Sequence, residues 1–145
     1  MNIDLYNHFM KNIHVAIPKT KNNIILEESF NKINEKYFNG LIERPNLVFG
    51  QESFRKLGSY EYGTDTITIS KIFEGYPEFI DYIMYHELLH KKHKFHHKNN
   101  RSRYHTKEFR TQEHQFENAK EMEKKLNDFL RQKVRKRFLK NFFNF

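Results

Sequence analysis

A chain of 145 residues has room for one domain with a modest core. It contains no cysteine, which excludes a disulfide framework, a cysteine-ligated zinc finger and a thiol nucleophile, and fits a reducing cytoplasm. The net charge of +8 is concentrated in two places: residues 91–107 carry seven Lys/Arg and residues 131–145 carry six, neither with an acid, leaving 13 basic against 18 acidic residues elsewhere.

Residues 1–25 read as a polar N-terminal extension. They show no basic stretch followed by an apolar run, and no window of the chain approaches the ~20 apolar residues of a spanning helix, so a cytoplasmic protein without a membrane span is expected. From Leu26 to Phe38 an amphipathic helix is predicted, with Leu26, Phe30, Ile33 and Tyr37 on one side and Asn39-Gly40 as its stop. Three strands follow: Asn46–Gly50, Leu57–Tyr62 and Thr66–Ser70. The turn-rich Gly63-Thr64-Asp65 makes a hairpin of the last two. Alternation puts Ile67 and Ile69 on one face of the third strand. That strand either lies along a cleft, where an extended peptide could pair with it, or is an ordinary sheet strand.

Residues 77–94 read as a helix with Phe79, Ile80, Ile83, Met84 and Leu88 as its apolar stripe. Pro77 suits the first turn, where a missing N–H costs nothing. On this helix lies His86-Glu87-Leu88-Leu89-His90, the pattern H-E-x-x-H. Residues four apart share a helix face, so both imidazoles can hold one tetrahedral Zn2+ at about 2.0–2.1 Å. Glu87 points slightly off that face, where it can take a proton from a water whose pKa the metal lowers to about 7. Zinc-dependent peptide hydrolysis is the leading reading. The bland alternative is a pair of surface histidines on a core helix.

A hydrolytic zinc takes a third protein ligand and keeps its fourth position for water. His93, His96, His97, His105, Glu108, Glu113, His114 and Glu117 are the candidates. With His93, three ligands would come from one straight helix, which cannot surround an ion tetrahedrally. His96 and His97 fall where the helix should end. His105 follows a basic, loop-like passage and opens a second helical pattern from Thr106 to Leu130, with Phe109, Phe116, Ala119, Met122, Leu126 and Phe129 as its apolar positions. It can approach from another direction and is the first choice, ahead of Glu108, Glu113 and Glu117. Tyr60, Tyr62 and Tyr104 are candidates for steadying an oxyanion, with none singled out.

The succession Tyr37-Phe38-Asn39-Gly40, Leu57-Gly58-Ser59-Tyr60, Thr66-Ile67-Thr68-Ile69-Ser70, His86-Glu87-Leu88-Leu89-His90 and His105-Thr106-Lys107-Glu108-Phe109 resembles SprT-like metalloproteins. It is similar also to the minimal peptidase domains called minigluzincins. The resemblance covers roughly residues 26–118. It implies a small zincin-like metallopeptidase domain of the α+β class: an N-terminal helix, a short three-stranded sheet, the HExxH helix and a long C-terminal helical segment. It further implies Zn2+ as cofactor with His86, His90 and His105 as ligands, Glu87 as general base, and a peptide or unfolded protein as substrate. Two features depart from the Spartan proteases that cut DNA-crosslinked proteins. Thr106 stands where a glycine often follows the third histidine, and no cysteines are present for a zinc ribbon. Minigluzincins lack that ribbon. In them a C-terminal segment can keep the enzyme latent, within one molecule or by exchange between two, which implies self-association through the tail.

The expected division is therefore an extension at 1–25, a zinc metallopeptidase-like catalytic domain at 26–118 and a basic, aromatic helical tail at 119–145. In the tail, Phe138, Leu139, Phe142 and Phe143 make a narrow helical stripe that needs cover from its own domain, a cleft, a membrane surface or nucleic acid. The basic patches keep two other functions open. One is a zinc-dependent nucleotide phosphohydrolase, with residues 91–107 attracting phosphates. The other is a zinc-stabilised nucleic-acid-binding module.

Overall fold

The computed structural model describes residues 4–5, 20–93, 96–98, 101–103 and 106–143, with the backbone alone at 96–98, 101–103 and 143. Helix α1 (Ile24–Phe38) starts two residues earlier than its apolar pattern, because Asn23 caps it: its side-chain oxygen accepts from Ile25 N at 3.0 Å and Leu26 N at 3.3 Å. Asn39 ends it in the left-handed region, φ 55°, with Gly40 following at φ 71°. Leu26, Phe30 and Ile33 are buried, as the stripe predicts. Asn34 shares the buried side and exchanges two hydrogen bonds with the Ile42 backbone, at 2.9 and 3.0 Å, fixing the loop that leads to the sheet.

The three strands are β1 (Asn46–Phe49), β2 (Gly58–Glu61) and β3 (Thr66–Ile69), in spatial order β1-β3-β2. β2 and β3 form the predicted antiparallel hairpin, with Gly58 opposite Ile69, while β1 runs parallel to β3. Ile67 and Ile69 are fully buried, and Thr66 and Thr68 take the half-exposed face. The idea that this third strand offers itself to a peptide is corrected here. β3 is the central strand, and its two edges are already taken by β1 and β2, leaving β2 as the edge beside the next helix.

A short 3-10 turn (Lys71–Phe73) and Gly75 at φ 88° lead into α2 (Pro77–His93). α2 is packed on more than one side: Ile80, Ile83, Met84, Leu88 and Leu89 are buried, and so are Glu87 and Lys91. Ser29 Oγ donates to Asp81 Oδ1 at 2.7 Å, and Lys32 pairs with the same carboxylate, tying α1 to α2. The sequence counts Lys91 in a basic surface patch. In the fold it is 4% exposed, and its Nζ reaches both Asp65 oxygens at 2.8 and 2.9 Å. Tyr60 OH donates to Asp65 Oδ1 at 2.6 Å, so the β2–β3 turn is fastened to the last turn of α2 through a buried charge pair.

The passage expected to be a loop contains a small antiparallel hairpin, β4 (His96–Lys98) with β5 (Arg101–Arg103). Its register pairs His96 with Arg103 and Lys98 with Arg101. The long second helix also divides, into α3 (Lys107–Glu113) and α4 (Ala119–Phe143). Asn118 takes φ 56° at the break. The turn lets Phe116 drop among Tyr37, Tyr82 and Tyr85, with ring centroids 5.2–5.3 Å away. Farther along α4, Phe129 packs on Phe73, Tyr76 and Phe79 at 4.7–5.7 Å.

Replacing Lys91 by Met removes the cation from a fully buried Asp65. Urea unfolding of Lys91→Met is expected to show a loss of about 3–5 kcal/mol. A loss under about 1 kcal/mol would mean that the pair is solvated in solution.

Candidate metal centre

His86 and His90 stand one turn apart on α2, and their Nε2 atoms approach to 3.2 Å. Two ligands of one tetrahedral zinc, each at about 2.0–2.1 Å, lie about 3.3–3.4 Å apart. The pair therefore already has the spacing of one edge of such a site. His86 Nδ1 meets Glu113 Oε1 at 2.8 Å, an arrangement in which Nδ1–H donates to the carboxylate and the Nε2 lone pair is left for a metal. Phe109 of α3 is fully buried and sets the rings from below, its centroid 4.5 Å from His90 and 5.3 Å from His86. Thr106 caps the same short helix, its Oγ1 accepting from Phe109 N at 3.2 Å. This is the physical content of the predicted His-x-x-x-Phe segment: the phenylalanine is a wedge under the histidines.

α3 is fastened to α2 at further points. His93 Nε2 lies 2.7 Å from Gln112 Oε1, and Tyr85 OH donates to the Gln112 carbonyl. Burial pushes the Tyr85 hydroxyl up to about 12, so it remains a donor at neutral pH.

Glu87 is 5% exposed, and its carboxyl lies against β2 at Gly58. Burial pushes its carboxyl up to about 8, against a weaker pull from Lys56. A carboxyl held near neutrality is suited to accepting and returning a proton. Gly58 makes its position feasible. A Cβ there would lie 2.6 Å from Ile83 Cγ2 and 3.1 Å from Glu87 Oε1, so only the bare backbone of β2 can approach this closely.

The other predicted ligands are distributed as follows. His105 and Tyr104 lie outside the described residues, as do the side chains of His96 and His97. Glu113 engages His86 Nδ1 rather than facing the Nε2 pair, and His93 is engaged by Gln112. Glu117 is exposed and pairs with Lys36, while His114 Nδ1 bonds the Arg110 carbonyl at 2.6 Å. Among the described residues no group of three or more His, Asp or Glu could enclose a metal ion. Of the tyrosines, Tyr60 is committed to Asp65, its pKa raised well above the usual value first by burial and then by that bond. Burial holds the Tyr62 hydroxyl at about 12.

The SprT-like family pattern matches residues 26–129. The chain belongs to the SprT-like family. Among curated protein sequences none matches it. Among solved structures, the metallopeptidase zymogen jannalysin of Methanocaldococcus jannaschii shares the fold. The match covers 76% of this chain and 99% of jannalysin, at 24% identity and a TM-score of 0.54. This SprT-like protein therefore has a metallopeptidase-like fold of the α+β class, with a helix bearing H-E-x-x-H behind a three-stranded sheet. The linear pattern marks Phe109 only as an apolar helix position and Glu113 only as a candidate third ligand, and it gives Gly58 no role of its own. Glu113 had been one of several acids, and nothing in a linear pattern distinguishes a ligand from the group that orients a ligand.

Because Gly58 leaves no space for a methyl group, Gly58→Ala is expected to destabilise the protein by about 1–3 kcal/mol. Thermal unfolding measures this. An unchanged melting temperature would mean that β2 and α2 stand farther apart than here.

Proposed function

We propose that this SprT-like protein is a zinc-dependent peptidase in which His86, His90 and His105 hold the metal and Glu87 is the general base. The observation that carries the reading is the 3.2 Å approach of two Nε2 atoms on the helix that also buries the Glu87 carboxyl. Zinc bound there would lower the pKa of a water and polarise a carbonyl. Glu113 keeps His86 in the tautomer that presents Nε2, and Phe109 holds both rings in register. Glu87 takes the proton of the attacking water and returns it to the leaving amine. Its low exposure keeps bulk water from competing for that proton.

A peptide or unfolded protein is the proposed substrate. Among the described residues β2 pairs on one edge, with β3, so an extended peptide can add along its other edge. Gly58 would then bring the peptide past Glu87. The C-terminal segment is proposed to restrain this activity. Arg137 lies 5.6 Å from the Phe54 ring centroid, in the stretch that leads into β2. Jannalysin, whose structure is that of a zymogen, makes a latent form a reasonable analogy.

The test is cleavage of an unfolded protein by zinc-loaded full-length chain, by Glu87→Ala and by a chain ending at Leu130. That end point retains Met122, Leu126 and Phe129, the core contacts of α4. Cleavage is expected to be faster without the tail. Glu87→Ala should keep its zinc while losing about 10²-fold or more of its rate. Should neither active form cut while zinc is present, the peptidase reading fails, and phosphate release from nucleoside triphosphates becomes the reaction to measure. His105→Ala is expected to lower zinc content sharply in metal analysis. Unchanged stoichiometry would move the third ligand to another residue.

A further inference from the structure

The second half of α4 rests two of its cations on the body and turns its apolar side outward. After Asp128 the chain has no acid, and residues 131–140 hold six Lys/Arg. Lys133 Nζ lies 5.5 Å from the ring centroids of Tyr76 and Phe129, and Arg137 packs over Phe54. Two cations thus attach this half of the helix to the body through cation–π contact. At about 100° per residue, Val134, Phe138 and Phe142 follow one another along the other side, with Leu139 next to them. These four are 49%, 66%, 59% and 42% exposed. Phe138 and Phe142 stack at 6.4 Å, which gathers the aromatic surface into one strip. By the same helical spacing Arg131 and Arg135 fall on the strip's side, Lys136 lies beyond Leu139 at its edge and Lys140 falls toward Lys133; all four are exposed.

We propose that this strip is a docking surface for an anionic lipid membrane, with the helix lying in the plane of the interface. Attachment by its basic side turns the strip away from the molecule's own core. A nucleic acid would reward the cations and leave the phenylalanines uncompensated. A second copy on the strip would bring Arg131 and Arg135 against their own counterparts. A bilayer interface accommodates both features: Phe138, Leu139 and Phe142 enter the boundary between headgroups and acyl chains, and the flanking Lys and Arg reach the phosphates. No described helix is long and apolar enough to cross a membrane, so the contact is superficial. The proposal is independent of the hydrolytic reading.

Full-length protein is floated on a density gradient with phosphatidylcholine vesicles, with or without phosphatidylglycerol. Co-flotation is expected with the anionic vesicles only and should weaken as salt is added. Phe138→Asp, and separately Arg131→Glu with Arg135→Glu, should each lower partitioning by about tenfold or more, with helical circular dichroism unchanged. The paired substitution leaves the apolar strip intact, so it tests the charge requirement without relying on Phe138. Absence of flotation, equal flotation with both vesicle types, or undiminished binding by Phe138→Asp would overturn the proposal. Two other results would also reject it. One is a lipid-free dimer that Phe138→Asp abolishes, which assigns the strip to a second copy. The other is oligonucleotide binding in the absence of vesicle binding.

Discussion

The site depends on one close approach, that of the Gly58 backbone to the Glu87 carboxyl. A helix can place a glutamate beside a histidine without help, but exposed, that glutamate would keep an ordinary carboxylate pKa. Burial against β2 is what raises it to about 8. The burial in turn needs a strand without a side chain at the contact, since any Cβ would press on Ile83 and on the carboxyl itself. The sheet is held at that distance by the hairpin, and the hairpin by the Asp65–Lys91 pair and the Tyr60 hydroxyl. Lys91 follows His90 directly, so the charge pair that locates β2 also anchors the turn carrying the second histidine.

On the other side of α2, a seven-residue helix does similar work. α3 is too short to be stable alone, and its order comes from what it touches. Gln112 engages His93 and Tyr85, Glu113 engages His86, and Phe109 lies under the imidazoles. These contacts restrict the rotamers of the histidines. Side chains held in advance lose less conformational freedom on binding a ligand. The left-handed Asn118 that divides α3 from α4 allows this, because it frees α3 to angle toward α2 while Phe116 fills the aromatic cluster around Tyr37 and Tyr85.

α4 combines two different surfaces in one continuous helix. Up to Leu130 its apolar residues join the core, and beyond it the apolar residues turn outward while Lys133 and Arg137 rest on aromatic rings. The acids of the helix, Glu121, Glu123 and Asp128, all lie in the first part. Charge and apolar surface therefore change sides at about the same place, where the core ends.

Much of this protein is determined locally and can be read in one dimension. The i, i+4 spacing of His86 and His90 guarantees a shared helix face, Asn39-Gly40 stops α1, and alternation in Thr66–Ile69 sends Ile67 and Ile69 to one side. Each follows from the backbone period alone. Two readings failed because they needed partners distant in sequence. The central place of β3 depends on β1 pairing across it, and the burial of Lys91 depends on an aspartate 26 residues earlier. The break at Asn118 was missed because apolar periodicity continues through it. The orienting role of Glu113, the wedge at Phe109 and the contact at Gly58 are decided only in three dimensions. They are distances between elements, which a pattern along the chain does not contain. The sequence by itself determined which titratable groups share one turn of α2. The tertiary structure decided which are buried, which are oriented and by what, because desolvation and hydrogen-bond geometry arise only when the elements pack.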